Sequence, residues 1–104
     1  MTQVAQTPEP PYYAVIFTSL RAEGDQVRRD GGRMLELAVM QPGFLGVESA
    51  RDGVGITVSY WANLEAIQRW KQQAEHLEAQ RLGRERWYST FKVWIARVER
   101  DYGI

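Results

Sequence analysis

Two stretches far apart in the chain carry apolar side chains on both faces of a strand, and this pattern limits the folds available. The first, YYAVIFTSL at 12–20, holds aromatic and β-branched residues and no glycine or proline. The second, WYSTFKVWIARVERDY at 87–102, is also apolar on both sides in its middle. A sheet with one solvated face would alternate apolar and polar residues. We therefore expect each face of this sheet to be covered.

The segment that follows the first strand predicts a helix. Apolar residues of 25–41 recur with a 3.6-residue period, and Pro42 and Gly43 break the pattern. Gly31 and Gly32 inside it predict either a frayed first turn or the close approach of a neighbouring element.

The middle of the chain predicts a β-hairpin followed by a second helix. FLGVESAR at 44–51 and GITVSYW at 55–61 flank the turn signal Asp52-Gly53. Trp61 falls on the opposite face from Ile56, so we expect it to leave the core side and line a different space. Asn63 is a suitable N-cap for the helix that starts LEAIQRW, and a short helix over about 76–85 continues or kinks from it.

The order strand, helix, strand, strand, helix, strand predicts an α+β, ferredoxin-like fold. Such a βαββαβ chain forms a four-stranded antiparallel sheet with both helices on one face. The second face would remain apolar and open, so we expect a second copy to cover it in a homodimer. The folded domain spans 12–104, whereas 1–11 holds three of the four prolines and is expected to be a flexible arm.

Composition excludes several classes of function. Thirteen basic and thirteen acidic residues cancel, so we expect neither nucleic acid nor a membrane surface as a partner. The absence of cysteine excludes disulfides, zinc-thiolate sites and thiol nucleophiles. The first eleven residues lack the features of a secretory signal, and no apolar run is long enough to span a membrane. Cytoplasmic residence is the simplest expectation.

Three segments resemble a known family. The helix exit QPGFLGVES, the strand GITVSYW and the segment WKQQAEHLEAQRLGRERWY are similar to the antibiotic biosynthesis monooxygenase (ABM) domain, over about 12–102. The resemblance implies a dimeric α+β barrel, in which two sheets join and each subunit has a pocket between its sheet and helices. Members include cofactor-free oxygenases of aromatic phenols, haem-degrading enzymes and quinol monooxygenases.

The haem-degrading branch of this family is tested by one position. Those enzymes ligate iron with a histidine about three helical turns after a tryptophan, and counting from Trp70 that place is Gln80. His76 lies one turn earlier. The resemblance therefore makes haem degradation the less favoured branch, and no metal site or cofactor is expected.

The cofactor-free branch needs a base and a dry aromatic pocket. His76 is the expected catalytic base, because an unperturbed imidazole titrates near neutral pH. Tryptophans could stack on the substrate ring, and polar groups of the same segment could donate hydrogen bonds to an oxyanion. The expected substrate-binding residues are Trp61, Trp70, Gln80, Arg84, Trp87 and Tyr88. The partner expected for them is a small aromatic molecule.

Several of these residues also have a purely structural interpretation. His76 could hydrogen-bond a backbone group, Trp70 could belong to the core beside Ile67, and Arg84 could interact with a helix C-terminus and solvent. The alternative function is a non-catalytic, dimeric module that binds a small hydrophobic ligand, or a stress-related protein that uses the same pocket.

Overall fold

The computed structural model describes residues 4–21, 35–80 and 88–104, and of positions 21, 75–80, 88 and 89 it describes the backbone alone. The strands are β1 (Tyr12–Arg21), β2 (Phe44–Asp52), β3 (Val54–Trp61) and β4 (Tyr88–Val98), and the helices are α1 (35–39) and α2 (Leu64–Gln80). The four strands form one antiparallel sheet in the order β2-β3-β1-β4. This element order and topology confirm the ferredoxin-like α+β prediction.

The strand registers define two faces of the sheet. Val15 of β1 lies opposite Ser59 of β3 and opposite Ile95 of β4, and directly opposed residues share a face. Val15 belongs to the buried core with Trp61 and with α1 and α2, so its face is the helix side. The prediction that Trp61 and Ile56 lie on opposite faces of β3 is therefore confirmed.

The core lies at one end of the helix side. The buried cluster and the half-buried residues packed against it are Val15, Ala38, Trp61, Ala66 and Ile67, with Tyr13, Phe44 and Trp70 around them. Small residues dominate the helices at this point. Ala38 and Ala66 are 1% and 0% exposed, so both helices approach the sheet closely.

Helix α2 begins where its cap was predicted. The backbone N–H of Ala66 donates to Asn63 Oδ1 at 2.8 Å, which satisfies one of the free amides of the first turn. Ala66, Ile67 and Ala74 form its buried stripe. The helix runs unbroken to Gln80, so over 76–80 the predicted second helix is a continuation of the first; positions 81–85 lie outside the described residues.

Gly43 connects α1 to the sheet. It adopts φ +89°, and its carbonyl accepts the Ala62 N–H at 2.8 Å. A Cβ at position 43 would lie 2.7 Å from the Cβ of Ala66, so only glycine allows this approach to α2. The helix predicted over 25–41 is described only from 35 onward, and Gly31 and Gly32 lie outside the described residues.

The expectation that Trp61 leaves the core is wrong. Trp61 is fully buried, its indole N–H donates to Ser59 Oγ at 2.9 Å, and Phe44 packs against it edge to face. The face assigned to Trp61 was correct, but that face is the helix side. Because Ser59 satisfies the indole N–H, the ring can be buried completely.

The face away from the helices is apolar over most of its area. Leu20, Ile56 and Trp94 are between 41% and 45% exposed there. The N-terminal arm covers one end of this face: the N–H of Ala5 donates to Glu48 Oε2 at 2.9 Å, and Thr7 Oγ1 lies 2.9 Å from the hydroxyl of Tyr12. The flexibility expected of the arm stays a prediction.

Among the described residues, no helix has both the length and the apolar character to cross a bilayer.

Candidate functional site

The structure describes the side chains of only two of the predicted site residues. Trp61 and Trp70 lie on the helix side, at the end of the sheet where α2 begins. Positions 76 and 80 lie on the backbone of α2, and position 88 opens β4. Arg84 and Trp87 lie outside the described residues. The roles predicted for these residues therefore stay predictions.

Trp61 and Trp70 stack on each other on the helix side of the sheet. Their ring centroids are 5.3 Å apart and their planes differ by 29°, whereas Phe44 meets Trp61 at 85° in an edge-to-face contact. Trp61 is fully buried and Trp70 is half-buried. Trp70 is thus the more exposed member of the pair, and Trp61 supports it from the core.

A second aromatic pair lies on the same side, toward the other end of the sheet. Phe17 of β1 and Phe91 of β4 stack with centroids 5.4 Å apart and planes 20° from parallel. On β4 the helix side is accessible: Phe91, Val93 and Ile95 are 55%, 42% and 52% exposed. The helix side is therefore buried over β1 and β3 but presents an apolar strip along β4.

A polar group that was not predicted lies beside the second aromatic pair. The Arg51 side chain crosses Gly55 of β3, where it would collide with any Cβ, and its Nη2 donates to Ser19 Oγ at 2.9 Å. Its Nη1 donates to the carbonyl of Gly53 at 3.3 Å. Ser19 is 3% exposed and lies opposite Phe91. A guanidinium is therefore fixed next to the apolar strip.

One sequence signal could have located Arg51. The Asp52-Gly53 turn pairs Asp52 with Val54, which places Arg51 opposite Gly55. A long cationic side chain opposite a glycine can lie across the neighbouring strand. The charge alone gave no such indication, because most arginines at strand ends are solvated.

Two tyrosines form hydrogen bonds to carboxylates on the other face of the sheet. The Tyr60 hydroxyl donates to Glu48 Oε1 at 2.7 Å, and the Tyr12 hydroxyl donates to Asp101. Burial and the Glu48 carboxylate raise the pKa of Tyr60 to about 12, and the hydrogen bond to Asp101 raises the pKa of Tyr12. The hydrogen bonds from Tyr60 and from the Ala5 amide lower the pKa of Glu48. Both tyrosines thus stay protonated at neutral pH and act as donors.

The part of the chain that the structure describes contains no candidate metal site. No group of three or more histidine, aspartate or glutamate side chains is placed there to hold an ion. Polar groups described on the helix side include hydroxyls, the Trp61 indole N–H and the guanidinium of Arg51, and the register of β4 places Arg97 on the same side.

The fold and site agree with what sequence comparison finds. The family model for antibiotic biosynthesis monooxygenase matches residues 17–82. The uncharacterized protein YqjZ of Bacillus subtilis (strain 168) is 50% identical over 104 residues, which cover 97% of this chain and 91% of YqjZ. The chain belongs to the antibiotic biosynthesis monooxygenase family, and the resemblance found in its sequence is confirmed.

Solved structures share the fold at low sequence identity. A variant of SnoaB, a cofactor-independent oxygenase from Streptomyces nogalater, aligns with a TM-score of 0.65 and 16% identity over 88% of this chain and 95% of its own. PA3566 from Pseudomonas aeruginosa aligns with a TM-score of 0.67 and 19% identity over 91% of this chain and 99% of its own. A MhuD variant, solved with two manganese protoporphyrin IX molecules per active site, aligns with a TM-score of 0.65 and 19% identity over 88% of this chain and 98% of its own. These similarities support the ferredoxin-like fold.

Proposed function

We propose that this protein is a cofactor-independent monooxygenase that uses O₂ to oxidise a small aromatic or quinol-like substrate. The proposal rests on the aromatic and apolar side chains that the helix side of the sheet carries in this member of the family. A half-buried indole, an aromatic pair and an apolar strip lie there on rigid strands and on α2. Such a surface suits a flat organic molecule.

The chemistry of this reaction needs little from the protein beyond a base and a dry pocket. A phenol that has lost its proton can pass an electron to O₂. One oxygen atom then enters the ring as a quinone carbonyl and the other leaves as water. The substrate supplies all the electrons, so the balanced reaction requires no external reductant.

The chain offers candidates for each role. His76 is the proposed base, because its imidazole titrates near neutral pH when unperturbed. Trp70, held by Trp61, would stack on the ring and exclude water. The proposed donors to the developing oxyanion are Gln80, Arg84 and Tyr88, and Trp87 would complete the aromatic lining.

We also propose that the protein is a homodimer that pairs sheet to sheet. The face away from the helices exposes Leu20, Ile56 and Trp94, and also Val54, which is 47% exposed. An isolated subunit would leave this apolar face in water, and a two-fold pairing would cover it on both copies at once. Sedimentation at micromolar concentration should give about twice the 12.0 kDa of one chain.

The activity is tested by oxygen uptake with a panel of hydroquinones and phenols. Wild type should consume O₂ above the uncatalysed rate with at least one substrate, and His76→Ala should lower kcat by about 100-fold or more. Gln72→Ala is the matched control, because it changes an exposed residue one turn earlier on the same helix face. Unchanged uptake in His76→Ala would remove His76 as the base.

One observation favours the second candidate, a non-catalytic module that binds a hydrophobic ligand. Ser19, Ser59 and Arg51 are polar groups described on the helix side, and none of them is a histidine or a carboxylate, the side chains that most often act as a general base. Binding of an aromatic ligand without oxygen uptake for any substrate would support this module. Haem degradation is a separate branch: a stoichiometric Soret shift on haem titration that is lost in His76→Ala would support it, despite Gln80 at the expected ligand position.

A further inference from the structure

We propose that Arg51 binds the carboxylate of an aromatic acid on the helix side of the sheet, so that the preferred ligand is a planar aromatic anion. This inference deepens the proposed function, since it rests on the same ligand-binding surface. It concerns recognition and not the oxidation step, so it can be tested without turnover.

The first argument is that Arg51 is held in place. Its side chain lies across Gly55, and its Nη2 donates to the buried Ser19 hydroxyl at 2.9 Å. The bond from Nη1 to the Gly53 carbonyl, at 3.3 Å, fixes the other arm of the guanidinium. A side chain fixed in this way loses little further entropy when a ligand binds, which favours recognition.

The second argument concerns charge. Both described acceptors of the Arg51 guanidinium, Ser19 Oγ and the Gly53 carbonyl, are neutral. Within the described residues, the ion pair formed by an arginine is that of Arg97 with Glu99 at 3.4 Å, and no carboxylate there pairs with Arg51. A planar guanidinium matches the two oxygens of a carboxylate, so this charge can take the carboxylate of a ligand.

The third argument is the aromatic platform beside this charge. Ser19 lies directly opposite Phe91, and residues so paired have Cβ atoms about 5 Å apart. The stacked rings of Phe17 and Phe91 therefore lie beside the point where the guanidinium ends. A ligand whose ring packs on the exposed part of Phe91 would place an attached carboxylate within reach of Arg51.

The test compares two stable ligands that differ by one carboxylate: 1-hydroxy-2-naphthoate and 1-naphthol. Their Kd values are measured by calorimetry under anaerobic conditions at low salt. Wild type should bind the acid about 10-fold more tightly or better, which is the usual size of a charged hydrogen bond. Arg51→Met should bring the ratio of Kd values close to one while leaving 1-naphthol binding unchanged.

Three further variants make the result specific. Arg51→Lys should give an intermediate ratio, because an ammonium keeps the charge but loses the bidentate geometry. Gly55→Ala should lower the ratio as Arg51→Met does, because the new Cβ displaces the guanidinium. Arg69→Met, which removes an exposed arginine of α2, should keep the wild-type ratio. Circular dichroism confirms that each variant is folded.

The proposal is overturned if wild type fails to bind the acid, if it shows no preference for it, or if Arg51→Met keeps the preference. These outcomes are distinct from failure of the oxygenase proposal. A protein that binds the acid through Arg51 but consumes no oxygen would retain the anion site and would instead be a binding module.

Discussion

The indole of Trp70, in the second turn of α2, stacks on that of Trp61, the last residue of β3, with centroids 5.3 Å apart. Trp61 is fully buried and fixed by Ser59, so the orientation of Trp70 is set by the sheet and not by the helix alone. A ligand that contacts Trp70 would therefore meet a preorganised surface.

Replacing Trp61 with alanine should strongly destabilise the fold. The change removes a fully buried indole and leaves the Ser59 hydroxyl without the bond it accepts from the ring. Truncating a buried tryptophan typically costs about 3–5 kcal/mol. Urea unfolding of Trp61→Ala should show this loss, and Trp61→Phe should recover part of it.

Trp94→Ala is the matched control for that experiment. Trp94 is 45% exposed on the other face of the sheet, where the proposed dimer would form. Trp94→Ala should therefore destabilise the subunit fold less than Trp61→Ala does, and it should lower the dimer fraction in sedimentation. Equal dimer fractions for Trp94→Ala and wild type would contradict the sheet-to-sheet dimer.

Gly43→Ala should destabilise the fold more than Gly53→Ala. Both glycines have positive φ, +89° and +80°, so alanine pays a similar backbone cost of about 1–2 kcal/mol at each. Only at position 43 would the new Cβ also meet Ala66, at 2.7 Å, whereas nothing lies within 4 Å at position 53. A further loss of about 1–3 kcal/mol is expected there. Equal unfolding midpoints for the two variants would rule out the close contact with α2.

The hydrogen bond between Tyr60 and Glu48 should shape how stability depends on pH. The pKa of Glu48 is lowered on folding, so its contribution is present above the ordinary value of 4.5 and is lost as pH falls through the lowered value. The pKa of Tyr60 is raised from 10.0 to about 12, so its contribution is present below pH 10 and is lost as pH rises toward 12.

The variant Tyr60→Phe tests this relationship. It should flatten the loss of stability between pH 10 and 12 and reduce the loss in acid, as measured by urea unfolding across pH. Tyr102→Phe is the control. Because Tyr102 is fully exposed, its substitution should leave the losses of stability in acid and in alkali unchanged. If the loss of stability between pH 10 and 12 is the same in Tyr60→Phe as in wild type, another group causes it.

Removing the cap of α2 should cost a modest and recoverable amount. Asn63→Ala deletes the acceptor for the Ala66 N–H, and such changes cost about 1 kcal/mol. Asn63→Ser, which keeps a capping oxygen, should restore most of the loss in thermal unfolding. Equal melting temperatures for Asn63→Ala and wild type would show that solvent caps the helix as well as the side chain does.

The strands, their faces and the cap of α2 could be predicted because they depend on local signals. Alternation placed Trp61 and Ile56 on opposite faces of β3, and Asn63 marked the first turn of α2. The burial of Trp61 could not be predicted in this way. It depends on Ala38 and Ala66, whose small side chains leave room for the indole. Ala38 lies more than twenty residues before Trp61, and Ala66 lies in the helix that follows.

The candidate site was only partly predictable for the same reason. The role proposed for Arg51 requires Ser19, Gly55 and Phe91, which come from three different strands. The helix periodicity does bear on His76: counted at spacings of three and four from the buried Ala74, the apolar stripe of α2 reaches positions 77 and 78 and not 76. The His76→Ala experiment therefore decides between a base and a residue outside the pocket.

The central position of β1 has a consequence for how the protein is made. Tyr13 pairs with Trp61 on one side and with Arg97 on the other, so both partners of the strand are distant in the sequence. Contacts of such long range slow folding, because long loops must close before any pairing is gained. During synthesis β1 must wait for residues 88–98 before its second edge is paired, and the apolar strand stays open to other chains until then.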